Sequence, residues 1–495
     1  MFVEISKSEE SSKVILSENY VYRLFLSEDV FNKTLRNLNL IESNSNLDII
    51  STRQVDTLTI SELTRKIPTI EGINLILQHP RIDFISYPHE WCRSMLKDAA
   101  RFHLKLSVFL SEYGLFLKDA HPWNILFSNS KFVFIDITSI VDAESLLHET
   151  TLIPKFFKTR KFLSTRFRII RIYTLYFMPY FIKPLINSFF FNEETYRVRF
   201  EQRTLNIAPE SIRPNFQGTL NSSKIDLLKG IIQSFIIRSK FRIRFLEIIM
   251  KGDVLSFFHN LDQVVTSIKL KDNISPYLNY YKAKSEENSF LLNDGWNDKQ
   301  LTVFDELQNP EYSTVLDLAC NTGWFSKLSA NLGKKVISFD IDHACIEQLY
   351  SDISEKKLDV LPLVIDLNNL SDVVKSQNQD NGIILIDAQT RFKCDIVLAL
   401  GLIHHMYLGY GKSFEEIFDV FDSFTKHKIL IEFISLEDSK IKNELDFFSA
   451  AMNDKTILVD YRIDKFVEVI KSKGYRVRSR QSHPSTRTIL ICERS

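Results

Sequence analysis

Features that mark secreted, metal-binding or membrane-spanning chains are missing from this sequence. Its five cysteines are scattered, without a Cys-x-x-Cys pair or a cysteine and histidine spacing that suits a metal, which argues against disulfides and structural zinc. We therefore expect a reduced, cytoplasmic compartment and no metal. The first ten residues lack a basic start followed by an apolar core, so we expect no secretory signal. The most apolar run, residues 172–182, contains Pro179 and is too short to form a transmembrane segment.

Glycine is scarce as well. The 495-residue chain has 13 glycines, and none precedes Gly72. Glycine-rich phosphate loops use the absence of side chains to bring backbone amides close to a ligand, so the residues before Gly72 cannot contain one. The remaining composition, 44% hydrophobic and 25% charged, is ordinary for a globular protein, and the length favours two or three domains.

The net charge is zero, but the cations are concentrated in one region. Residues 151–252 contain 19 Lys or Arg and 6 Asp or Glu, a local net charge of 19 − 6 = +13. One interpretation is a face for peripheral contact with a membrane surface or nucleic acid. The other, which we favour because no nucleic-acid motif accompanies the charge, is a mainly helical subdomain whose cations pair with the acidic remainder.

A strand, a turn and a helix are predicted in succession at residues 315–333. Apolar residues surround Asp317 in the strand, and apolar positions at helical spacing follow the turn until Gly333 ends the helix. Nucleotide sites favour glycine in such turns, yet here only Gly323 is one. Ala319 and Asn321 take the other two positions, and asparagine is the residue that best tolerates positive φ after glycine, so we expect the turn to form.

More strands follow, and several end in acidic or polar residues. The second predicted strand ends at Asp340, the third at Asp366, and the fourth, residues 394–400, leads into His404 and His405. A fifth strand follows a helix that Ser413 and Glu416 cap, and residues 475–479 and 488–492 form a terminal hairpin. Ligands of open α/β sheets bind beyond the carboxyl ends of the strands, where these side chains lie.

Residues from about 290 to 495 thus resemble a class I S-adenosylmethionine-dependent methyltransferase. The resemblance implies an α/β fold, a seven-stranded Rossmann-like sheet with an antiparallel last strand. It also implies that S-adenosylmethionine is the cofactor. The alternative is a similar sheet that binds another nucleotide or none. The residues that would bind the cofactor are Asp317, Ala319, Cys320, Asn321 and Gly323 at its methionine end, Asp340 at the ribose, Asp366 and Leu367 at the adenine, and Leu400 at the end of the fourth strand.

The first 150 residues predict an α+β region. Residues 21–25 and 83–87 have the pattern of strands, and apolar positions from residue 95 to residue 113 mark one face of a long helix. Asp119, Asn124 and, after a hairpin, Asp136 follow. They resemble the catalytic loop and metal-binding aspartate of protein kinases and aminoglycoside phosphotransferases, which implies that Asp119 orients a hydroxyl while Asn124 and Asp136 hold Mg²⁺. The alternative is that they stabilise a local turn in a scaffold without phosphotransfer.

Segments 86–91, 117–120 and 296–300, together with the methyltransferase motifs, resemble a family of long bacterial methyltransferase-like proteins, some linked to host-specific nodulation. We therefore divide the chain into a kinase-like region (1–150), a basic, mainly helical subdomain (151–285) and a methyltransferase domain (286–495). The predicted function is methyl transfer to a small-molecule or glycan acceptor, with the N-terminal region recognising substrate or partner. A non-catalytic cofactor-binding scaffold and a bifunctional phosphotransferase-methyltransferase are the alternatives.

Either His404 or His405 is the candidate for a base beside the methyl acceptor, because an imidazole titrates near neutral pH. The alternative for each is a packing or capping role. Glu432, at the end of the fifth strand, is a weaker candidate. No Asn/Asp-Pro-Pro-Tyr motif follows the fourth strand, so we do not expect a nucleic-acid substrate.

Overall fold

The computed structural model describes residues 3–4, 12–42, 47–67, 70–148, 165–190, 252–270, 275–279, 295–368, 370, 386–444, 448 and 457–494. Both predicted domain boundaries, after residues 150 and 285, fall outside the described residues, so the three-part division stays a prediction. Most of the basic segment 151–252 also lies outside them. Its described part, residues 165–190, is helical.

A five-stranded antiparallel sheet begins the chain, in the order β1-β2-β3-β5-β4. Its strands are β1 Val3–Glu4, β2 Ser12–Leu16, β3 Tyr20–Phe25, β4 Arg53–Gln54 and β5 Ile76–Pro80. Helices Glu28–Glu42 and Thr57–Lys66 lie between strands. The strand predicted at residues 21–25 is confirmed. The one predicted at 83–87 is wrong, because those residues form no strand and precede the 3₁₀ turn Pro88–Glu90.

The long helix predicted around residues 95–113 is confirmed as Arg93–Glu112. Two antiparallel pairs follow it: β6 Leu115–Leu117 with β9 Ile140–Asp142, and the hairpin of β7 Ile125–Ser128 with β8 Lys131–Phe134. Short 3₁₀ turns and a helix complete this part: Pro122–Asn124, Ile137–Ser139 and Ala143–His148.

One face of the apolar run around Pro179 packs inside the protein. Residues Tyr173–Ile182 form π-helical turns between helices Thr165–Ile172 and Lys183–Phe190. Phe177 and Phe181 are fully buried and contact His103 of the long helix, and Phe257 of helix Val254–Ser267 joins the same cluster through Tyr173. Within the described parts of the chain, no helix is long and apolar enough to cross a bilayer.

The C-terminal half has the predicted α/β fold with a seven-stranded mixed sheet in the order β12-β11-β10-β13-β14-β16-β15. Its strands are β10 Thr314–Leu318, β11 Lys335–Asp340, β12 Val360–Val364, β13 Cys394–Ala399, β14 Thr425–Ile434, β15 Tyr475–Gln481 and β16 Arg487–Arg494. Strands β10 to β14 run parallel, and β16 is antiparallel to both of its neighbours. Every residue of β10, β12 and β13 is buried, which explains their continuous apolar sequences.

Helices cover the sheet, and the predicted Ser413 capping box begins one of them. The helices are Asp298–Leu307, Trp324–Asn331, His343–Lys356, Ala388–Arg391, Phe414–Ser423, Ser439–Glu444, Ile457–Asp460 and Ile463–Ser472.

The N-terminal part contacts the sheet near the amino ends of its parallel strands. Lys335, the first residue of β11, pairs with Asp83, and Arg391, three residues before β13, forms a buried ion pair with Glu90. Tyr87 accepts a hydrogen bond of 2.9 Å from the amide of Ile386. These contacts leave the opposite edge, at the carboxyl ends of the strands, for a ligand.

Candidate functional site

A cavity of about 240 Å³ opens at the carboxyl ends of β10, β11, β12 and β13. Strand ends and the turns after them supply most of its wall. The lining residues are Tyr277, Lys299, Ala319, Asn321, Phe339, Asp340, Ile341, Asp342, Cys345, Ile365, Asp366, Leu367, Asn368, Leu400, Gly401, Leu402, His405, Met406, Tyr410, Ile434 and Lys440. The cavity lies where open α/β sheets bind their ligands.

The turn after β10 has the backbone shape that a glycine-rich turn would have. Ala319, Asn321 and Gly323 all have positive φ, at 54°, 55° and 72°. A side chain at Gly323 would collide with Leu349, because its Cβ would lie 2.5 Å from that residue's Cδ1. The missing glycines therefore do not prevent the turn, although alanine is strained in this conformation.

Asp340, the last residue of β11, joins this turn to the neighbouring strand. Its Oδ2 accepts a hydrogen bond of 2.7 Å from the amide of Asn321, and its Oδ1 accepts one of 2.8 Å from the amide of Asp342. A carboxylate has about four acceptor positions, so capacity remains for hydroxyl groups in the cavity. Burial raises the pKa of Asp340 to about 6, against the lowering effect of the two amides.

Asp317 lies beneath the turn and is not among the lining residues. Its side chain is 3% exposed, and its Oδ2 accepts a hydrogen bond of 2.6 Å from Ser326 Oγ. Burial raises its pKa to about 7. Cys320 and Gly323 also stay behind the wall, where the amide of Cys320 donates to the carbonyl of Phe339 over 2.9 Å. In this geometry the three residues shape the turn, and their direct contact with a cofactor remains a prediction.

The predicted residues for the adenine lie at the end of β12. Asp366 and Leu367 both line the cavity, and Asp366 Oδ1 accepts a hydrogen bond of 2.9 Å from the amide of Asn368. Leu400, immediately after β13, lines the cavity as well. The structure therefore brings Asp340, Asp366, Leu367 and Leu400 to one cavity, together with two residues of the turn.

The two adjacent histidines differ in position. His405 lines the cavity, whereas His404 does not and is completely buried. The two rings lie 4.1 Å apart, centroid to centroid. Neither ring nitrogen of His404 has a hydrogen-bond partner among the described residues, and burial holds its pKa well below the usual value. Burial first, and the charge of Lys440 second, lower the pKa of His405 to about 4.

Two lysines and a tyrosine in the wall were not predicted as site residues. Lys299 pairs with the buried Glu432 at a distance of 2.7 Å between Nζ and Oε2, and Lys440 and Tyr277 line other parts of the cavity. The only sequence signals were indirect. Lys299 falls in segment 296–300, which carried part of the family resemblance, and Glu432 ends a strand.

Two of the three residues predicted to form a kinase-like site, Asn124 and Asp136, lie in the N-terminal part, away from this cavity. Asp136 Oδ1 accepts hydrogen bonds from Arg23 Nη2 of β3, over 3.2 Å, and from Thr138 Oγ1, over 2.7 Å. Asn124 is buried, and its Nδ2 has no hydrogen-bond partner among the described residues. Where the chain is described, no group of three or more His, Cys, Asp or Glu side chains is arranged to hold a metal ion.

No known family model matches the sequence. The chain is similar to nodulation protein NoeA of Rhizobium meliloti (strain 1021), with 26% identity over 436 residues, 86% of this chain and 83% of NoeA. Among solved structures, it is similar to the magnesium protoporphyrin IX methyltransferase ChlM of Synechocystis PCC 6803 with bound SAH. The identity is 14% and the TM-score 0.29, over 44% of this chain and 94% of ChlM. The bifunctional kinase-methyltransferase WbdD is similar at 16% identity with a TM-score of 0.28, over 39% of this chain and 38% of WbdD. The predicted resemblance to nodulation-protein-like chains is thus confirmed, because the similarity to NoeA extends along most of this chain.

Proposed function

We propose that the chain is an S-adenosylmethionine-dependent methyltransferase whose cofactor binds in the cavity beyond β10 to β13. The observation that carries this proposal is the bond between Asp340 and the amide of Asn321. This bond joins a carboxylate at a strand end to a turn whose residues have positive φ. The carboxylate suits ribose hydroxyls, and the turn allows a ligand to approach the backbone closely. Asp366 and Leu367 lie one strand further along, where they would contact the adenine.

The residues present fit such a cofactor. Half-buried Asp340 keeps acceptor capacity at the cavity, and apolar Ile341 and Leu367 offer surface to a base. When bound, S-adenosylmethionine supplies an activated methyl group. The protein's contribution is to hold the acceptor in line with that group and to exclude water.

We propose His405 as the base that accepts the acceptor's proton. It lines the cavity just beyond β13. Its pKa is about 4, not near neutrality as the sequence had suggested, so the imidazole is neutral at pH 7 but is a weaker base than expected. A neutral imidazole can accept a proton from a hydroxyl or an amine as the methyl group is transferred. Fully buried His404 packs behind it, which favours the packing role for that residue. The acceptor remains the predicted small molecule or glycan.

For the N-terminal region, we propose a kinase-like fold that no longer transfers phosphate and that recognises substrate or partner. The supporting observation is that Arg23 pairs with Asp136, the residue expected to hold Mg²⁺. An arginine in that position competes with a cation for the carboxylate. The charge of Arg23 therefore speaks against the bifunctional alternative.

Calorimetry with S-adenosylmethionine and S-adenosylhomocysteine tests the cofactor site. We expect binding by the full chain and a loss of affinity in Asp340→Ala but not in the exposed control Lys393→Met. Incubation with methyl-labelled cofactor and a cell extract, followed by mass spectrometry of the labelled species, then separates an enzyme from a scaffold. Binding without any turnover would favour the scaffold. Failure of the wild type to bind either compound would reject the proposal.

A further inference from the structure

Lys299 brings an ammonium group to the wall of the cavity, and the proposed function gives this group no role. Its side chain is 16% exposed, and its Nζ lies 2.7 Å from Oε2 of Glu432, whose side chain is fully buried. Burying two charges is costly, and an apolar pair of similar volume is often at least as stable. Stability alone therefore gives no good account of this pair beside a ligand cavity.

The ammonium group is held in position from two sides. Ser482 Oγ donates a hydrogen bond of 2.8 Å to Oε1 of Glu432, the carboxylate oxygen that Lys299 does not contact. Although burial alone would raise the pKa of Glu432, the Lys299 charge and the hydrogen bonds hold it below the usual value, so the carboxylate stays charged. On the other side, a reciprocal capping box between Asn297 and Gln300 fixes the helical turn that carries Lys299.

The position of Lys299 along the cavity indicates what it would bind. Its charge offsets part of the effect of burial on the pKa of Asp317, beneath the β10 turn, and helps to lower the pKa of His404, after β13, as expected of an ammonium near both segments. It also lies 5.3 Å from the ring of Phe325, in the helix that follows the turn. Asp366, at the end of β12, and Asp340, at the end of β11, define the adenosine end of the proposed ligand. Lys299 lies on the side of the cavity formed by the ends of β10 and β13. The amino-acid end of the ligand is therefore the part that Lys299 would contact.

We propose that Lys299 binds the carboxylate of the methionine part of the cofactor, and that Glu432 and Ser482 are positioning residues that aim its ammonium group. This inference rests on the proposed function. The β10 turn of this chain lacks two of the usual glycines, and a lysine beside it supplies a charged contact in addition to backbone amides. The interaction is a charge-assisted hydrogen bond, and it is specific to ligands that carry the carboxylate.

Two ligands distinguish this contact from the rest of the site. S-adenosylhomocysteine has the amino-acid carboxylate, whereas 5′-methylthioadenosine has the same adenosine and thioether without it. For Lys299→Met we expect calorimetry to show a loss of about 10- to 100-fold in affinity for S-adenosylhomocysteine and a change within about twofold for 5′-methylthioadenosine. Lys299→Arg keeps the charge and should retain most of the affinity. Lys393→Met, an exposed lysine outside the cavity, is the control.

Removing Lys299 alone leaves Glu432 buried without its partner, which can unfold the protein. The double variant Lys299→Met/Glu432→Met removes both charges and should show the same ligand-specific loss. Affinity of the double variant for S-adenosylhomocysteine within twofold of wild type would overturn the inference, and so would equal losses for both ligands. If the wild type bound neither ligand, the cofactor site itself would be rejected, and this inference with it.

Discussion

The amide of Asn321 donates a 2.7 Å hydrogen bond to the carboxylate of Asp340, across the gap between the ends of β10 and β11. The bond explains how a turn with one glycine keeps the shape of a turn with three. Asn321 accepts positive φ more readily than most residues, and its amide is fixed by a carboxylate that would otherwise be buried with fewer partners. The same carboxylate would then bind the ribose, so the turn and the ligand share one anchor.

The first prediction concerns the pH dependence of cofactor binding. Ribose hydroxyls donate to an ionised carboxylate, and the pKa of Asp340 is raised from 3.8 to about 6. Below pH 6 the ligand must displace a proton, so affinity for S-adenosylhomocysteine should fall towards acid pH, approaching tenfold per pH unit. It should level off at higher pH.

Calorimetry from pH 5 to 8 measures this dependence, and Asp340→Asn, which does not titrate, is the matched variant. Asp340→Asn should bind S-adenosylhomocysteine more weakly at pH 7.5. Its affinity should also lack the fall towards acid pH that the titration of Asp340 causes. Asp317→Asn should retain that fall, because Asp317 titrates near pH 7 but does not line the cavity. A wild-type affinity that stays constant down to pH 5 would contradict the role of Asp340.

Much of this site could be predicted because strand ends are visible in the sequence. Apolar runs that end in an acid placed Asp340 and Asp366 at neighbouring strand ends, and both line the cavity, since parallel strands bring their carboxyl ends to one edge. The ion pair of Lys299 with Glu432 could not be predicted, because its partners lie 133 residues apart and no periodicity links them. Nor does a motif reveal which of two adjacent histidines faces the cavity, since that depends on the turn after β13.

The N-terminal sheet was harder to predict for a related reason. Antiparallel strands of only two to six residues depend on their pairing partners, and only β3 had a distinct pattern. The alternating residues 83–87 resemble a strand because they pack on the C-terminal half. The carbonyl of Ile85 accepts a hydrogen bond of 2.6 Å from Arg391 Nη1, a contact that no local pattern shows.

The second prediction concerns the strain in the β10 turn. Ala319 has a φ of 54°, a conformation that costs an L-residue about 1–2 kcal/mol in the folded protein. Part of this cost is offset because alanine has less conformational entropy than glycine to lose on folding. Ala319→Gly should therefore raise the free energy of unfolding by up to about 1 kcal/mol. Gly323→Ala should lower it by about 1–3 kcal/mol, because its Cβ would meet Leu349.

Urea denaturation measures both changes. Ala330→Gly is the control for the glycine itself, because Ala330 lies in helix Trp324–Asn331 and should lose about 0.5–1 kcal/mol on substitution. If Ala319→Gly destabilised the protein as much as this control, the strain argument would fail.

The third prediction separates the two histidines. His405→Ala should lower turnover by about 10²-fold and leave cofactor affinity within about twofold, because His405 would act on the acceptor. His404→Phe, which keeps a ring in the buried position, should retain turnover within a few-fold. Rapid-quench assays and calorimetry give the two quantities. The reverse pattern, with turnover lost only in His404→Phe, would assign the base to His404.

The pH dependence of kcat gives a further check on His405. The neutral imidazole accepts the proton, and the pKa of His405 is lowered from 6.5 to about 4. The neutral form therefore prevails above about pH 4, so kcat at saturating cofactor should not show the loss near pH 6.5 that an unperturbed histidine would give. A loss of kcat below about pH 6.5 that is seen in the wild type but not in His405→Ala would indicate that the imidazole is more exposed to solvent during turnover.

The fourth prediction is that the N-terminal region, which we propose to be kinase-like, binds no Mg²⁺-ATP. A phosphotransferase needs backbone amides around the phosphates, a lysine and two metal-holding side chains. Here no glycine precedes Gly72, and Asp136 is paired with Arg23. Asp119→Asn should leave methyl transfer within about twofold of wild type, provided that circular dichroism shows an intact fold. Magnesium-dependent ATP binding in the micromolar range that disappears in Asp136→Ala would restore the bifunctional alternative.

The fifth prediction concerns the contact between the two halves of the chain. Glu90 and Arg391 are both about 5% exposed, and Arg391 Nη1 donates to Glu90 Oε2 over 3.0 Å while its guanidinium lies 4.1 Å from the ring centroid of Tyr87. Although burial alone would raise the pKa of Glu90, the Arg391 charge holds it below the usual value, so the carboxylate stays charged. Arg391→Met would leave that charge buried and unpaired, which should lower the free energy of unfolding by about 3–5 kcal/mol.

Removing both charges separates the ion pair from the rest of the contact. The double variant Glu90→Gln/Arg391→Met should recover part of the lost stability, because no unpaired charge remains. The exposed ion pair of Arg462 and Asp464 is the control: Arg462→Met should have no measurable effect on stability. Since the contact lies near the amino ends of the strands and the cavity at their carboxyl ends, cofactor affinity should change little in any variant that remains folded. A large loss of affinity in a folded Arg391→Met variant would instead indicate that the N-terminal region controls the cavity across the sheet.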